Sequence, residues 1–426
     1  MDGFRRVFPV VALAFAIAAC GSTVRTPAPS ATADNATAGS PSASGTAAPS
    51  GNPTDLAVYA KIESQVQALR GLTAKNPVTP VLLDSQGVRD RLTRMNDAQT
   101  NHQAMADESR LFIHLGLLPE GSSLELMELD LEAGQVLGFY DPSSKGLYVL
   151  SESGGVGAME KVTFSHEYTH ALQDQNFGLD KLAIDTPDQS DRDLARTAVP
   201  EGDAYMLMAQ WMFKYLSPIE IVQVGAESLS GSQADQLAKA PPILRETLLF
   251  PGVQGLSFVQ GIYDEGGWEA VNALYANPPD STSQILHPDL YARHVKPIAV
   301  TVPAVPSSLA GWKLTMQDTL GELELRIWLE GETPSAAQSQ AAAAATSDWG
   351  GDRIGLYEGL NGRWAVVLRT SWRTASGQTA FRQAATSKTG SLPGPAIVCA
   401  DGSGAALYVA SDVTALEAFA SCRPPL

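Results

Sequence analysis

The stretch Phe164-Ser165-His166-Glu167-Tyr168-Thr169-His170-Ala171-Leu172-Gln173-Asp174 constrains this chain more than any other. On a helix, residues four apart lie on the same face. His166 and His170 can therefore aim two imidazoles at one cation, and Zn²⁺ takes such nitrogens at roughly 2.0–2.1 Å. Glu167 sits one step round the helix, where its carboxylate reaches a water on that ion rather than the ion itself. The H-E-x-x-H spacing gives it the role of general base toward that water. A surface helix whose two histidines bind nothing is the competing reading, and the whole chain has only 6 His from which to build the pattern by accident.

The spacing predicts a helix over about 156–177, opened after Gly154 and Gly155 and stopped by Gly178. A third ligand must come from elsewhere, because Gln173 and Asn176 stand where a continuing G-x-x-H would place its residues. The best candidate is Glu201, in Val199-Pro200-Glu201-Gly202-Asp203-Ala204. The apolar positions that follow it (Leu207, Met208, Trp211, Met212, Tyr215) put it early on a buried helix. Pro200 either opens that helix or kinks a longer one. A carboxylate near a helix start is also a common complement to the helix dipole, which is the alternative role for Glu201. Asp174, one turn beyond His170, can orient an imidazole or end the helix in solvent.

Charge and address narrow the partners. Lys+Arg 29 against Asp+Glu 46 gives a net charge of −17, which argues against nucleic acid and against adhesion to anionic lipid. Arg5 and Arg6 followed by the apolar run from Val7 to Ala19 read as a secretory signal over residues 1–20. It ends Ile17-Ala18-Ala19-Cys20-Gly21, which resembles a bacterial lipobox with Cys20 as the lipidated residue. A plain A-x-A cleavage site is the alternative. A lipid at Cys20 would hold the protein on a membrane without a spanning helix. Residues 21–54 are almost wholly Ser, Ala, Thr, Pro, Gly and Asn, the composition of a disordered tether. This address is extracytoplasmic, in the cell envelope, where Cys399 and Cys422 are free to form a disulfide.

Helical periodicity begins near Leu56 and recurs through about Leu117. The run 134–150 reads as a β-hairpin around Asp141-Pro142-Ser143-Ser144-Lys145-Gly146. Its Tyr140 and Tyr148 face either a groove or a core. From Leu248 to Tyr291 the pattern is a helix, a break at Gly266-Gly267 and a second helix, leading to Ser281-Thr282-Ser283-Gln284-Ile285-Leu286-His287-Pro288. His287 precedes a proline and is expected to be non-helical. His287 or Tyr291 can donate to a developing oxyanion beside a metal, or simply cap and pack their loop. Beyond Val302 the texture changes to an α+β unit. Strands are expected at 354–357, 364–369 and 406–409, and helices near 319–330, 335–345, 377–385 and 412–420. Trp349-Gly350-Gly351-Asp352-Arg353 reads as a turn with a packed indole.

The chain resembles a family of bacterial secreted or lipoprotein zincins of the glutamate type. The resemblance rests on G-F-Y-D-P at 138–142, S-H-E-Y-T-H-A-L-Q-D-Q at 165–175, E-G-D-A at 201–204 and S-T-S-Q-I-L-H-P at 281–288. Weaker echoes are G-E-L at 321–323 and W-G-G-D-R at 349–353. It implies an α+β fold: a zincin-like, mainly helical catalytic domain over 55–300 with a β-hairpin or sheet edge, then a smaller α+β domain over 301–426. It implies Zn²⁺ on His166, His170 and Glu201, with Glu167 acting on the water, and a protein or peptide as substrate. Tyr205 departs from that pattern, since many such proteins carry an Asp there to support a histidine; Asp203 or Asp174 is left to serve instead. The expected function is thus a zinc metallopeptidase. A catalytically inactive zincin scaffold serving as a binding or assembly factor in the envelope is the alternative.

Overall fold

The computed structural model describes residues 10–11, 53–135, 137–151, 155–184, 186–229 and 232–422. Most of the expected signal, Cys20 and the tether therefore lie outside the described residues. Among the described residues, no helix is long and apolar enough to cross a membrane.

The helical part runs in chain order through α1 (Pro53–Arg70), α2 (Ser85–Gln99), α3 (His102–His114), α4 (Leu124–Gln135), α5 (Ala158–Phe177), α6 (Ser190–Tyr215), α7 (Pro218–Leu229), α8 (Ser232–Lys239), α9 (Pro242–Ala276), α10 (Thr282–Leu286) and α11 (Pro288–Ala292). Four short strands, β1 (Val10–Val11), β2 (Pro80–Leu83), β3 (Gly138–Asp141) and β4 (Gly146–Leu150), form a sheet in the order β1-β3-β4-β2. The expected hairpin is β3–β4, antiparallel from Gly138↔Val149 to Asp141↔Gly146. Its turn is set by Asp141, whose Oδ1 accepts from the Ser143 amide at 2.9 Å, an Asx turn. β2 adds parallel to β4, and Val10–Val11 pairs antiparallel with Tyr140 and Phe139.

The C-terminal part is β5 (Lys313–Asp318), α12 (Gly321–Glu330), α13 (Ala336–Thr346), β6 (Trp349–Glu358), β7 (Trp364–Trp372), α14 (Ala375–Lys388), β8 (Ala396–Asp401), β9 (Gly404–Ala410) and α15 (Val413–Phe419). Its five strands make an antiparallel sheet in the order β5-β6-β7-β9-β8. The α+β fold class read from the sequence therefore holds: a helical region is followed by an antiparallel-sheet unit. Helix starts follow their caps. Ser335 and Gln338 form a capping box on α13, and Thr374 and Asp412 cap α14 and α15. Cys399 and Cys422 are bonded, with Cα atoms 5.9 Å apart, so the chain just beyond α15 is stapled to β8.

Two expectations for local structure need correcting. The segment 349–353 is not a turn but the start of β6, where a register shift between Trp349 and Gly351 makes room for a crossing strand of chain. A Cβ on Gly351 would lie 2.1 Å from the Ile298 carbonyl oxygen, so only glycine fits beneath that crossing. The Trp349 indole is packed as expected, 1% exposed, and donates to Asp352. Glu201 does not stand early on its helix, because α6 begins at Ser190 and carries Pro200 in its interior.

One core lies between α3, α6, α9 and α12 and runs on into the sheet through Ile354, Leu356, Val366 and Leu407. A second is built by Tyr59, Val162, Phe164, Leu207 and Trp211 from α1, α5 and α6. The long helices α5 and α6 thus have apolar packing on several sides, and their polar residues face each other in the interior.

Candidate metal centre

α5 begins after Gly157, and Gly178, at φ 76°, closes it with its amide on the Asp174 carbonyl. Its middle is sealed: His166, Glu167 and His170 are all 0% exposed. One turn apart, the His166 and His170 rings meet edge to face, at 78° with centroids 4.6 Å apart. α6 supplies Glu201, 6% exposed, from the turn containing Pro200. The approach of α6 to its neighbour α9 is fixed by glycine. A Cβ on Gly202 would fall 2.2 Å from the Gly255 carbonyl oxygen, and one on Gly255 would fall 2.5 Å from that of Ala198. Any side chain there would push the helices apart and move Glu201 with them.

The result is a convergent donor set. His166 Nε2 and His170 Nε2 are 2.9 Å apart. Glu201 Oε2 stands 3.5 Å from His166 Nε2, and its Oε1 stands 4.0 Å from His170 Nε2. Three such atoms all lie within 4.8 Å of one another. A tetrahedral site with bonds of roughly 2.0–2.1 Å has donor–donor edges of about 3.3 Å, a value that the His166–His170 and His166–Glu201 separations of 2.9 and 3.5 Å bracket. Two neutral nitrogens and one carboxylate oxygen are also a set that suits Zn²⁺.

Electrostatics point the same way. Burial pushes His166 down to about 3, outweighing the opposing pull of Asp203. Burial and the neighbouring His166 push His170 down to about 3, outweighing Glu201 and Gln173. Both rings are therefore neutral, the state in which a nitrogen lone pair is available to a cation. Burial raises the Glu201 carboxyl to about 7, partly offset by His170, so without a cation this acid is poorly solvated. A buried polar atom is also left over: His166 Nδ1 has no hydrogen-bond partner among the described residues.

The groups around the donors differ from expectation. Asp174 orients no histidine. It accepts from Tyr140 Oη and Lys145 Nζ, both at 2.7 Å, and from the Leu179 amide at 3.1 Å, so it joins the hairpin to α5. Asp203 is bound instead by Arg70, Nε to Oδ1 at 2.8 Å and Nη2 to Oδ2 at 3.0 Å, and by Tyr275 Oη at 2.7 Å. That fully buried pair locks α1 to α6, with the guanidinium stacked 4.2 Å over the Trp268 ring. Tyr205, where the resembling pattern has Asp, packs its ring edge against His166 at 4.5 Å. The partner of His170 is Gln173, which the sequence reading did not assign: Nδ1 lies 2.8 Å from Gln173 Oε1. β3 passes beside Glu167, since a Cβ on Gly138 would lie 3.5 Å from Glu167 Cγ. Of the two hairpin tyrosines, Tyr140 is buried, and Tyr148 stacks on Phe139 at 4.8 Å.

The remaining motifs gather elsewhere, at the seam between the helical part and the sheet. His287 Nε2 is 2.7 Å from Glu322 Oε1, which raises its pKa, and Tyr291 Oη donates to the Asn277 carbonyl. Thr282 donates its amide and hydroxyl to Asp191 Oδ1. Asp352 accepts from the Leu320 and Gly321 amides, both at 2.9 Å, capping α12. Thus 281–288, 321–323 and 349–353 form one interlocked polar cluster. His287 is held at this seam by Glu322, whereas Tyr291 hydrogen-bonds and packs within the helical part, its ring edge-on to Phe258 at 5.3 Å.

Comparison with known proteins reaches only the C-terminal part. Residues 312–416 match a family described as a domain of unknown function, DUF8575. No curated protein and no solved structure matches the chain. The family match spans the five-stranded sheet with α12, α13 and α14 and stops within α15, and it does not include His166, His170 or Glu201.

Proposed function

We propose that this chain is a zinc-dependent metallopeptidase working outside the cytoplasm, held to a membrane by a lipid on Cys20, of the glutamate-type zincin kind that its motifs resemble. One observation carries the reading: His166, His170 and Glu201 turn three donor atoms from two helices into one buried point. These three residues would hold Zn²⁺. When bound, the ion supplies Lewis acidity for a peptide carbonyl and lowers the pKa of water.

The rest of the chemistry falls to side chains. Glu167, adjacent to His166 and shielded from bulk solvent, takes a proton from water as the oxygen attacks the carbonyl carbon. It returns that proton to the amine nitrogen as the C–N bond breaks, so the base of the first step is the acid of the second. The Glu201 carboxylate would balance part of a bound cation's charge, and the packed α5 holds both imidazoles in register.

The test is cleavage of a mixed peptide library by native chain and Glu167→Gln, both checked for zinc. Zinc in both with cleavage only by the native chain supports the peptidase. Burial of all four residues favours a second reading, an inactive zincin scaffold that binds a partner in the envelope. Zinc in both with cleavage by neither would select it.

A further inference from the structure

The geometry points to Gln173 as a positioning residue that sets the tautomer of His170 and couples the two halves of the metal centre. This rests on the metal-site reading above. Gln173 is 0% exposed and makes two hydrogen bonds. Its Nε2 donates to the Pro200 carbonyl at 3.0 Å, and its Oε1 faces His170 Nδ1 at 2.8 Å.

The orientation of an amide side chain follows from its partners. A backbone carbonyl only accepts, so the NH₂ end of Gln173 must face Pro200. The oxygen must then face His170, and Nδ1 must carry the proton to donate to it. The lone pair of His170 is left on Nε2, the atom turned toward Glu201 and His166. Among the described residues His166 has no comparable partner for its Nδ1. One ligand is thus preset by a side chain of its own helix, and the other is not.

The second bond does separate work. Pro200 immediately precedes Glu201, and its carbonyl is reached from α5 across the helix pair. A single amide therefore ties the ring of one donor to the backbone that delivers another. Two substitutions separate the two effects. Gln173→Glu keeps an acceptor for Nδ1–H and loses the donor to Pro200. Gln173→Leu loses both.

The experiment measures Zn²⁺ affinity by competition with a chromophoric chelator, and imidazole ¹⁵N spectra of the metal-free protein, for the native chain and both variants. In the native chain, His170 is expected as the Nδ1–H tautomer. Gln173→Leu should weaken Zn²⁺ by about 10–100-fold, the usual cost of losing such a partner, and mix the His170 tautomers. Gln173→Glu should retain the native tautomer while still binding Zn²⁺ more weakly. If Gln173→Leu does not fold, the Gln173→Glu spectra and affinity decide alone. Native-like affinity in the folded variants, or a native His170 protonated on Nε2, would overturn the proposal. Native protein that shows the Nδ1–H tautomer but takes up no Zn²⁺ would sink the metal reading and leave the tautomer assignment standing.

Discussion

Gly202 of α6 and Gly255 of α9 cross so closely that a Cβ on the first would lie 2.2 Å from the carbonyl oxygen of the second. Glu201 adjoins this crossing, so the distance between α6 and α9 also sets where its carboxylate points. Gly202→Ala is expected to lower stability by about 1–3 kcal/mol, the usual cost of forcing a methyl into a packed interior. Denaturant midpoints measure it. The same variant should lose Zn²⁺ affinity, whereas a small-to-large change remote from α6 should not.

Arg70 and Asp203 form a fully buried pair. Removing only the cation leaves a carboxylate in the interior, so Arg70→Met should cost about 3–5 kcal/mol. Arg70→Met combined with Asp203→Leu should cost less than Arg70→Met alone, because no uncompensated charge remains. Equilibrium unfolding of the three chains gives the comparison.

The domain seam should make stability fall as pH rises. Burial raises Asp191 from 3.8 to about 8 and Asp352 from 3.8 to about 6, in each case against hydrogen bonds that pull the other way. The folded chain then holds protons that the unfolded chain releases near pH 4. Stability from these groups is full below that pH and is lost as pH climbs through 6 and 8. Asp191→Asn keeps an oxygen for Thr282 and removes the titration, so its melting temperature should decline less steeply between pH 5 and 8. An unchanged slope would contradict the assignment.

The bond between Cys399 and Cys422 closes a loop of sequence separation 23. Chain-entropy arguments give such a loop about 3 kcal/mol. Reduction, or Cys399→Ala with Cys422→Ala, should lower the melting temperature of the C-terminal sheet and leave zinc content unchanged.

The parts of the site that were legible in the sequence were those written in local spacing. The i, i+4 pair of histidines and the glycine stop placed α5 to within a few residues, and the E-G-D-A stretch singled out Glu201. The first half of α6 left no such trace. Its buried residues there mix Leu194 and Val199 with Ala195, Ala198, Thr197 and the acids Asp191 and Asp193, so the apolar period is weak, and at Ala198 the backbone of α9 comes too close for a larger side chain. Gln173 lies three residues beyond His170 on the same helix, so that contact was within reach of local spacing, whereas its bond to Pro200 spans 27 positions and depends on how two helices cross. The seam explains the misread turn at 349–353. Its glycines mark not a reversal but the place where another segment of chain lies against the strand.

The central claim concerns a cation held by His166, His170 and Glu201, and elemental analysis of the purified chain tests it most directly. The native protein and Glu167→Gln should each carry one zinc per chain, while His170→Ala and Glu201→Ala, shown to be folded, should carry little or none. Native protein that takes up no zinc under saturating conditions, or holds it equally well after either ligand is removed, would contradict the account.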